Sequence, residues 1–231
     1  MQAEHEPNEV ENAYAPPSEF HEQEDSLEAS PFQSIWTRPR VTVRQIISTN
    51  PSLHVILLAC LGGVGQTLDR ASTRNAGDQL SLGVILLLAL VLGPIAGLFS
   101  VWIGSLLILL AGKMIGGKSN FQNITTAMAW ASVPAVFALP LWIPQILMFG
   151  ADMFTEATPT LDANPVLTVP FFGIAMAEIV LGVWAFVLLC NTIAEVQGFR
   201  SAWSGLGNIL LAALILIVPL LAIVVLLVGL S

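Results

Sequence analysis

The sequence predicts an all-α protein, a polytopic membrane bundle of five transmembrane helices preceded by short interfacial helices. Three observations predict it. Of the 231 residues 55% are apolar and 10% charged, with a mean hydropathy of +0.78, whereas a soluble domain carries about a quarter charged residues. Apolar runs recur at roughly 53–68, 80–112, 124–150, 166–193 and 206–230, and a crossing takes about 20 residues. Finally, the basic residues flanking these runs fall on one side if the chain crosses five times.

Nine of the sixteen carboxylates lie in residues 1–30, which hold no Lys or Arg. The net charge of −8 therefore belongs to this segment and not to the body. With Pro7, Pro16, Pro17 and few large apolar residues, it cannot offset its ordering entropy and is expected to be a disordered acidic cytoplasmic tail. It has no basic start leading into an apolar core, so it does not read as a signal peptide. Two roles fit: a solubilising arm, or a docking segment for a basic protein partner. Residues 31–231 form the membrane domain.

Next comes SPFQSIWTRPRVTVRQIIS, which reads as one or two short helices lying on the membrane. Ser30 can cap, and Pro31 and Pro39 suit first helical positions. Phe32, Ile35, Trp36, Ile46 and Ile47 are placed to dip into lipid, while Arg38, Arg40 and Arg44 meet anionic head groups. Ordinary positive flanking charge explains the same arginines equally well.

The first run, 53–68, is short and interrupted by Gly62, Gly63 and Gly65. The second, 80–112, is overlong, since 33 residues of helix reach about 50 Å against a hydrocarbon core of about 30 Å. It is expected to bend at Gly93-Pro94, where proline removes a helical hydrogen bond. Charge fixes the count. With five spans and the N-terminus inside, Arg38, Arg40, Arg44, Lys113, Lys118 and Arg200 are all cytoplasmic. The loop 69–79 then faces out with Arg70 and Arg74 balanced by Asp69 and Asp78. So does 151–165, with Asp152, Glu156 and Asp162. The C-terminus lies on the face opposite the N-terminus.

Between the second and third runs, Gly116 and Gly117 end a helix, Lys113 and Lys118 sit at head-group level, and Ser119 or Asn120 caps the next helix. The third run carries Pro134, Pro140 and Pro144 and is expected to be kinked or partly unwound. Two small-residue ladders, Ala127/Ala131/Ala135 and Ala89/Gly93/Gly97, allow close helix approach within one chain or between copies, so a homo-oligomer stays open.

PFQSIWTRPR followed by TNP, then GGKSNFQNITTAMAWASVP, then EVQGFRSAW with GLGNILLAAL, resembles the bacterial branch of the Yip domain family. The resemblance covers roughly residues 31–230 and rests on Gly117, Lys118, Phe121, Pro134 and the segment from Glu195 to Gly198. It implies five helices, a cytosolic N-terminus and a bacterial inner membrane. Eukaryotic relatives are Ypt/Rab-interacting membrane proteins that act as adaptors or membrane organisers without enzymatic chemistry. The acidic tail carries none of the family's marks, so GTPase binding is not carried over.

No catalytic, cofactor-binding or metal-ligating constellation can be assembled, and no nucleic-acid partner is expected. Cys60 and Cys190 lie in apolar runs without CxxC spacing, and His5, His21 and His54 are scattered. One residue stands apart. Glu178 lies well inside the fourth run, where an ionised carboxylate is costly. Ser100, Ser105, Ser132, Gln145 and the backbone near Pro140 are its candidate partners, and Asn191 lies too far along the helix. Glu178 is either a carboxyl that joins two helices, or a proton or cation site beside the broken third helix. The resulting function is an adaptor, scaffold or membrane organiser; the alternative is a small transporter or proton-coupled permease using Glu178.

Overall fold

A computed structural model describes residues 30–229. The expected acidic tail, up to residue 29, lies outside the described residues. Within them the chain is helical and contains no strand.

The two short leading helices form as expected. Helix α1, Pro31–Ser34, and helix α2, Pro39–Thr49, both carry proline in the first turn. Ser30 serves through its carbonyl, which accepts the Gln33 amide at 2.9 Å, and not through a side-chain cap. The apolar face points elsewhere than expected. Ile35, Val43 and Ile46 are at most 1% exposed and pack into the protein against Leu58, Trp130 and Ile193. A second layer of helix lies over them, so burial against protein replaces burial in lipid.

Helix α3, Val55–Thr73, runs through its three glycines and continues past residue 68. The glycines do not break it because each faces a neighbour: Gly63 is where the next helix seats, while Gly62 and Gly65 face Ser132 and Leu139 of the third segment. Helix α4, Leu82–Met114, is continuous through Pro94. A Cβ on Gly63 would overlap the Gly93 carbonyl and stand 2.6 Å from the Gly97 Cα. A Cβ on Gly97 would in turn overlap the Ala59 carbonyl. The α3–α4 crossing is therefore backbone against backbone, as small residues at four-residue spacing permit.

The third run is broken as its prolines require. Helix α5, Phe121–Ala131, gives way to α6, Val133–Ala138, then a 3₁₀ turn at Leu139–Leu141, then α7, Trp142–Phe149. The first break falls before Pro134, which opens α6 and does not close α5. Trp130 is fully buried there, its Nε1–H donating to the Leu53 carbonyl at 3.0 Å and its ring 4.8 Å from that of Phe32. A further short helix α8, Pro159–Ala163, precedes α9, Thr168–Gln197, and α10, Ala202–Gly229, completes the chain.

Four stretches are long and apolar enough to cross a membrane among the described residues: Leu82–Met114, Phe121–Phe154, Pro165–Gln197 and Ala202–Leu226. Helix α3 is not among them, since its last turns carry Gln66, Asp69 and Arg70. The outer surfaces of the bundle are oil. Leu87, Leu90, Trp102, Leu147, Val169 and Val225 are each at least 60% exposed. No soluble protein leaves so continuous an apolar girdle in water. The chain is a multi-pass membrane protein.

Candidate functional site

The rods alternate in direction, so the molecule has two differently built ends. The basic end gathers α1 and α2, the turn after α4 and the turn after α9. Met114 is the last residue of α4, and Gly116 comes two residues later with a φ of +85°. Its neighbour Gly117 donates its amide to the Gly112 carbonyl at 2.7 Å. Asn120 then caps α5, its Oδ1 accepting the Asn123 amide at 2.8 Å. Across from it, Gly198 ends α9 with a φ of +75°, a left-handed position suited to glycine.

These two turns are stitched together. The Lys118 amide donates to the Gln197 carbonyl at 3.1 Å. The Gln197 side chain, 1% exposed, donates Nε2–H to the Ile108 carbonyl and accepts the Ser119 amide, both at 3.3 Å. A Cβ on either Gly112 or Gly117 would collide with that amide. The Gln197 side chain fills the space that a Cβ at either position would take, so a larger residue there displaces it. Next to it, Asn208 is fully buried with neither side-chain polar atom paired.

Of the expected head-group arginines, two bond to protein. Arg44 pairs with Glu195 at 2.8 Å, and Arg40 donates to Asn191 Oδ1 and to the Arg200 carbonyl, both at 3.3 Å. Arg38 stays exposed. Lys113 and Lys118 flank the turn. Phe121 meets the Trp102 ring edge-on at 6.2 Å, and Pro134 is buried at the α5–α6 break.

The opposite end is closed by the connection before α4 and the connection after α7. Ser72 Oγ donates to the Met153 carbonyl at 2.6 Å, and the Glu156 amide donates to Asp78 Oδ1 at 3.3 Å. Phe154 is fully buried and stacks on Trp142 with ring centres 5.5 Å apart.

Just inside this end lies a cleft of about 310 Å³, lined by Asp69, Trp142, Gln145, Phe171 and Glu178. Gln145 Nε2 donates to Glu178 Oε1 at 2.6 Å. Of the five candidate partners of Glu178, this is the one the structure brings to it. Ser105 instead faces the Met128 sulfur, and Ser132 bonds the Ala129 carbonyl. Gln145 is 3% exposed, and its Oε1 has no hydrogen-bond partner. Asp69 shares the cleft because α3 extends to Thr73, which corrects the expectation of a loop over 69–79. Its spacing from Gly62 and Gly65, seven and four residues, is the signal that it continues one helix face.

Among the described residues no three His, Cys, Asp or Glu side chains group as a metal-ion cluster. Cys60 and Cys190 are free thiols. His54 starts α3 in a left-handed conformation and packs its ring 5.4 Å from that of Phe32.

A broken helical bundle with an apolar girdle, and with two glycine turns locked at its basic end, defines a multi-pass membrane protein of a particular kind. The Yip1 domain family model matches residues 33–228, so the chain belongs to the Yip1 domain family. No match was found among curated proteins or among solved structures.

Proposed function

We propose that this protein is a non-enzymatic adaptor, scaffold or membrane organiser of the bacterial inner membrane, with its basic end and N-terminus in the cytoplasm. The observation that carries this reading is the stitching of the two cytoplasmic turns. The Gln197 side chain and the Lys118 backbone amide hold the two turns together, and the Arg44–Glu195 pair with exposed Lys113 and Lys118 gives that surface its charge. A rigid surface of fixed charges suits docking of a protein partner or of anionic head groups.

Five crossings are part of the same proposal. The 19 residues of α3 reach about 28 Å, close to the thickness of the hydrocarbon core. Gly63 seats it against α4, and Gly62 and Gly65 turn towards the third segment, so neighbours on two sides shield the less apolar helix from lipid. A small permease takes second place, because five spans do not divide into equal halves. The acidic tail and the cytoplasmic turns are the surfaces proposed to meet a partner.

The test is cross-linking in native membranes with and without residues 1–30. A protein adduct lost on removing the tail supports an adaptor. Absence of any adduct in both forms overturns that role. Reporters fused before Met1 and after Ser231 check the topology, which requires them on opposite faces.

A further inference from the structure

We propose that the cleft between α3, α7 and α9 binds a primary ammonium group, carried by a small amine or by a lipid head group. The site is independent of the adaptor role. Its first element is charge. Asp69 and Glu178 both line the cleft, and among the described residues neither has a salt-bridge partner. Arg70 lies next to Asp69 in sequence but donates to Gln66. Glu178 lies within a membrane-spanning stretch, where a lone carboxylate is costly, and the exposed Asp69 adds a second acidic group to the same cleft, so a cationic occupant is favoured.

The second element is an unused acceptor. Gln145 commits its Nε2 to Glu178, which leaves Oε1 without a donor although the residue is 3% exposed. A buried acceptor without a partner is unfavourable, so an occupant that donates to it recovers that loss. An ammonium group has three N–H donors and no acceptor. The acceptors around the cleft are the Asp69 carboxylate, the second Glu178 oxygen, Gln145 Oε1 and the Ser72 and Thr73 hydroxyls, which already donate to backbone carbonyls.

Shape distinguishes an organic cation from a metal ion. A calcium ion collects about six to eight oxygens at close range, whereas the lining here is shared with the side chains of Trp142, Met153, Phe171 and Ala175. Trp142 and Phe171 provide the apolar wall, and aromatic faces attract cations. A second cavity of about 120 Å³ shares Asp69, Trp142 and Glu178 and extends past Gly182. Together they accommodate a charged head with an alkyl stem.

The test uses the full chain in dodecyl maltoside, with labelled n-butylammonium as the probe in equilibrium dialysis against empty micelles. Saturable binding is expected, with a dissociation constant on the order of 1 mM for so small a ligand. Glu178→Gln and Asp69→Asn are each expected to weaken it by about tenfold or more, with unchanged helix content. Equal binding by Glu178→Gln and the unmodified chain, or no saturable binding at all, overturns the proposal. So does displacement of the probe by sodium or calcium chloride at lower concentration than by unlabelled butylammonium. That competition needs no variant and decides the matter if a substituted chain fails to fold. Displacement by dihexanoyl phosphatidylethanolamine at lower concentration than by ethanolamine assigns the group to a lipid; the reverse order assigns it to a free amine.

Discussion

Gln145 and Glu178, 33 positions apart in sequence, meet at 2.6 Å and tie the broken third segment to α9. The contact joins a helix interrupted by prolines to a continuous one. Gln145→Ala strands the Glu178 carboxyl and is expected to cost about 1–3 kcal/mol. Glu178→Gln keeps shape and an acceptor, and is expected to cost about 1 kcal/mol or less and to leave adaptor function intact. Unfolding in mixed micelles separates the two, and equal losses would show that the contact is not the source of the effect.

At the α3–α4 crossing, Gly63→Ala forces backbone apart, because a Cβ there meets the Gly93 carbonyl. Overpacking of this kind costs about 1–3 kcal/mol. Gly173→Ala is the matched control, since nothing lies within 4 Å of a Cβ at that position. It should gain about 0.5–1 kcal/mol from helix propensity. Unfolding of the two variants in the same mixed micelles, measured side by side, checks the sign as well as the size.

Loss of the Gln197 side chain exposes the turn it holds. Gln197→Ala removes the bonds to the Ile108 carbonyl and the Ser119 amide. The expected cost is about 1–3 kcal/mol, with faster hydrogen exchange confined to residues 115–120 and the end of α9. Uniform acceleration along the chain would contradict a local tie.

The Arg44–Glu195 pair is expected to contribute little. Arg44 is 55% exposed, and exposed pairs are worth about 0.2–1 kcal/mol. A double-mutant cycle with Arg44→Met and Glu195→Gln should give a coupling in that range which shrinks with added salt. A larger, salt-insensitive coupling would mean that the pair is shielded by lipid or by a partner.

How legible these features are in the sequence varies with their physics. The helix breaks at Pro134 and Pro140 arise from a missing N–H and a steric clash, both local, so the sequence carries them. Asn120 as a cap and Gly198 as a helix end are equally local. The Ala89/Gly93/Gly97 ladder is readable as a contact face, but its counterpart is not. Gly63 looks like an interruption because the residue it meets lies thirty positions away. Asp69 is hidden for a related reason: charge after an apolar run normally marks a loop, and only the packing of α3 keeps it helical. Ile35 and Ile46 show the limit of amphipathicity, which states that a face is buried without stating in what. Gln145 is one of five candidates for Glu178, and tertiary placement alone selects it.

The second half of α10 stands free. From Leu216 to Leu226 every residue is exposed, so no neighbouring helix grips that part of the rod. The bilayer is then its only partner there, and any mismatch between its apolar length and the hydrocarbon core is met by lipid and not by a neighbouring helix. The protein holds that rod only through its first half, where Asn208 and Ala212 are buried in the packed core.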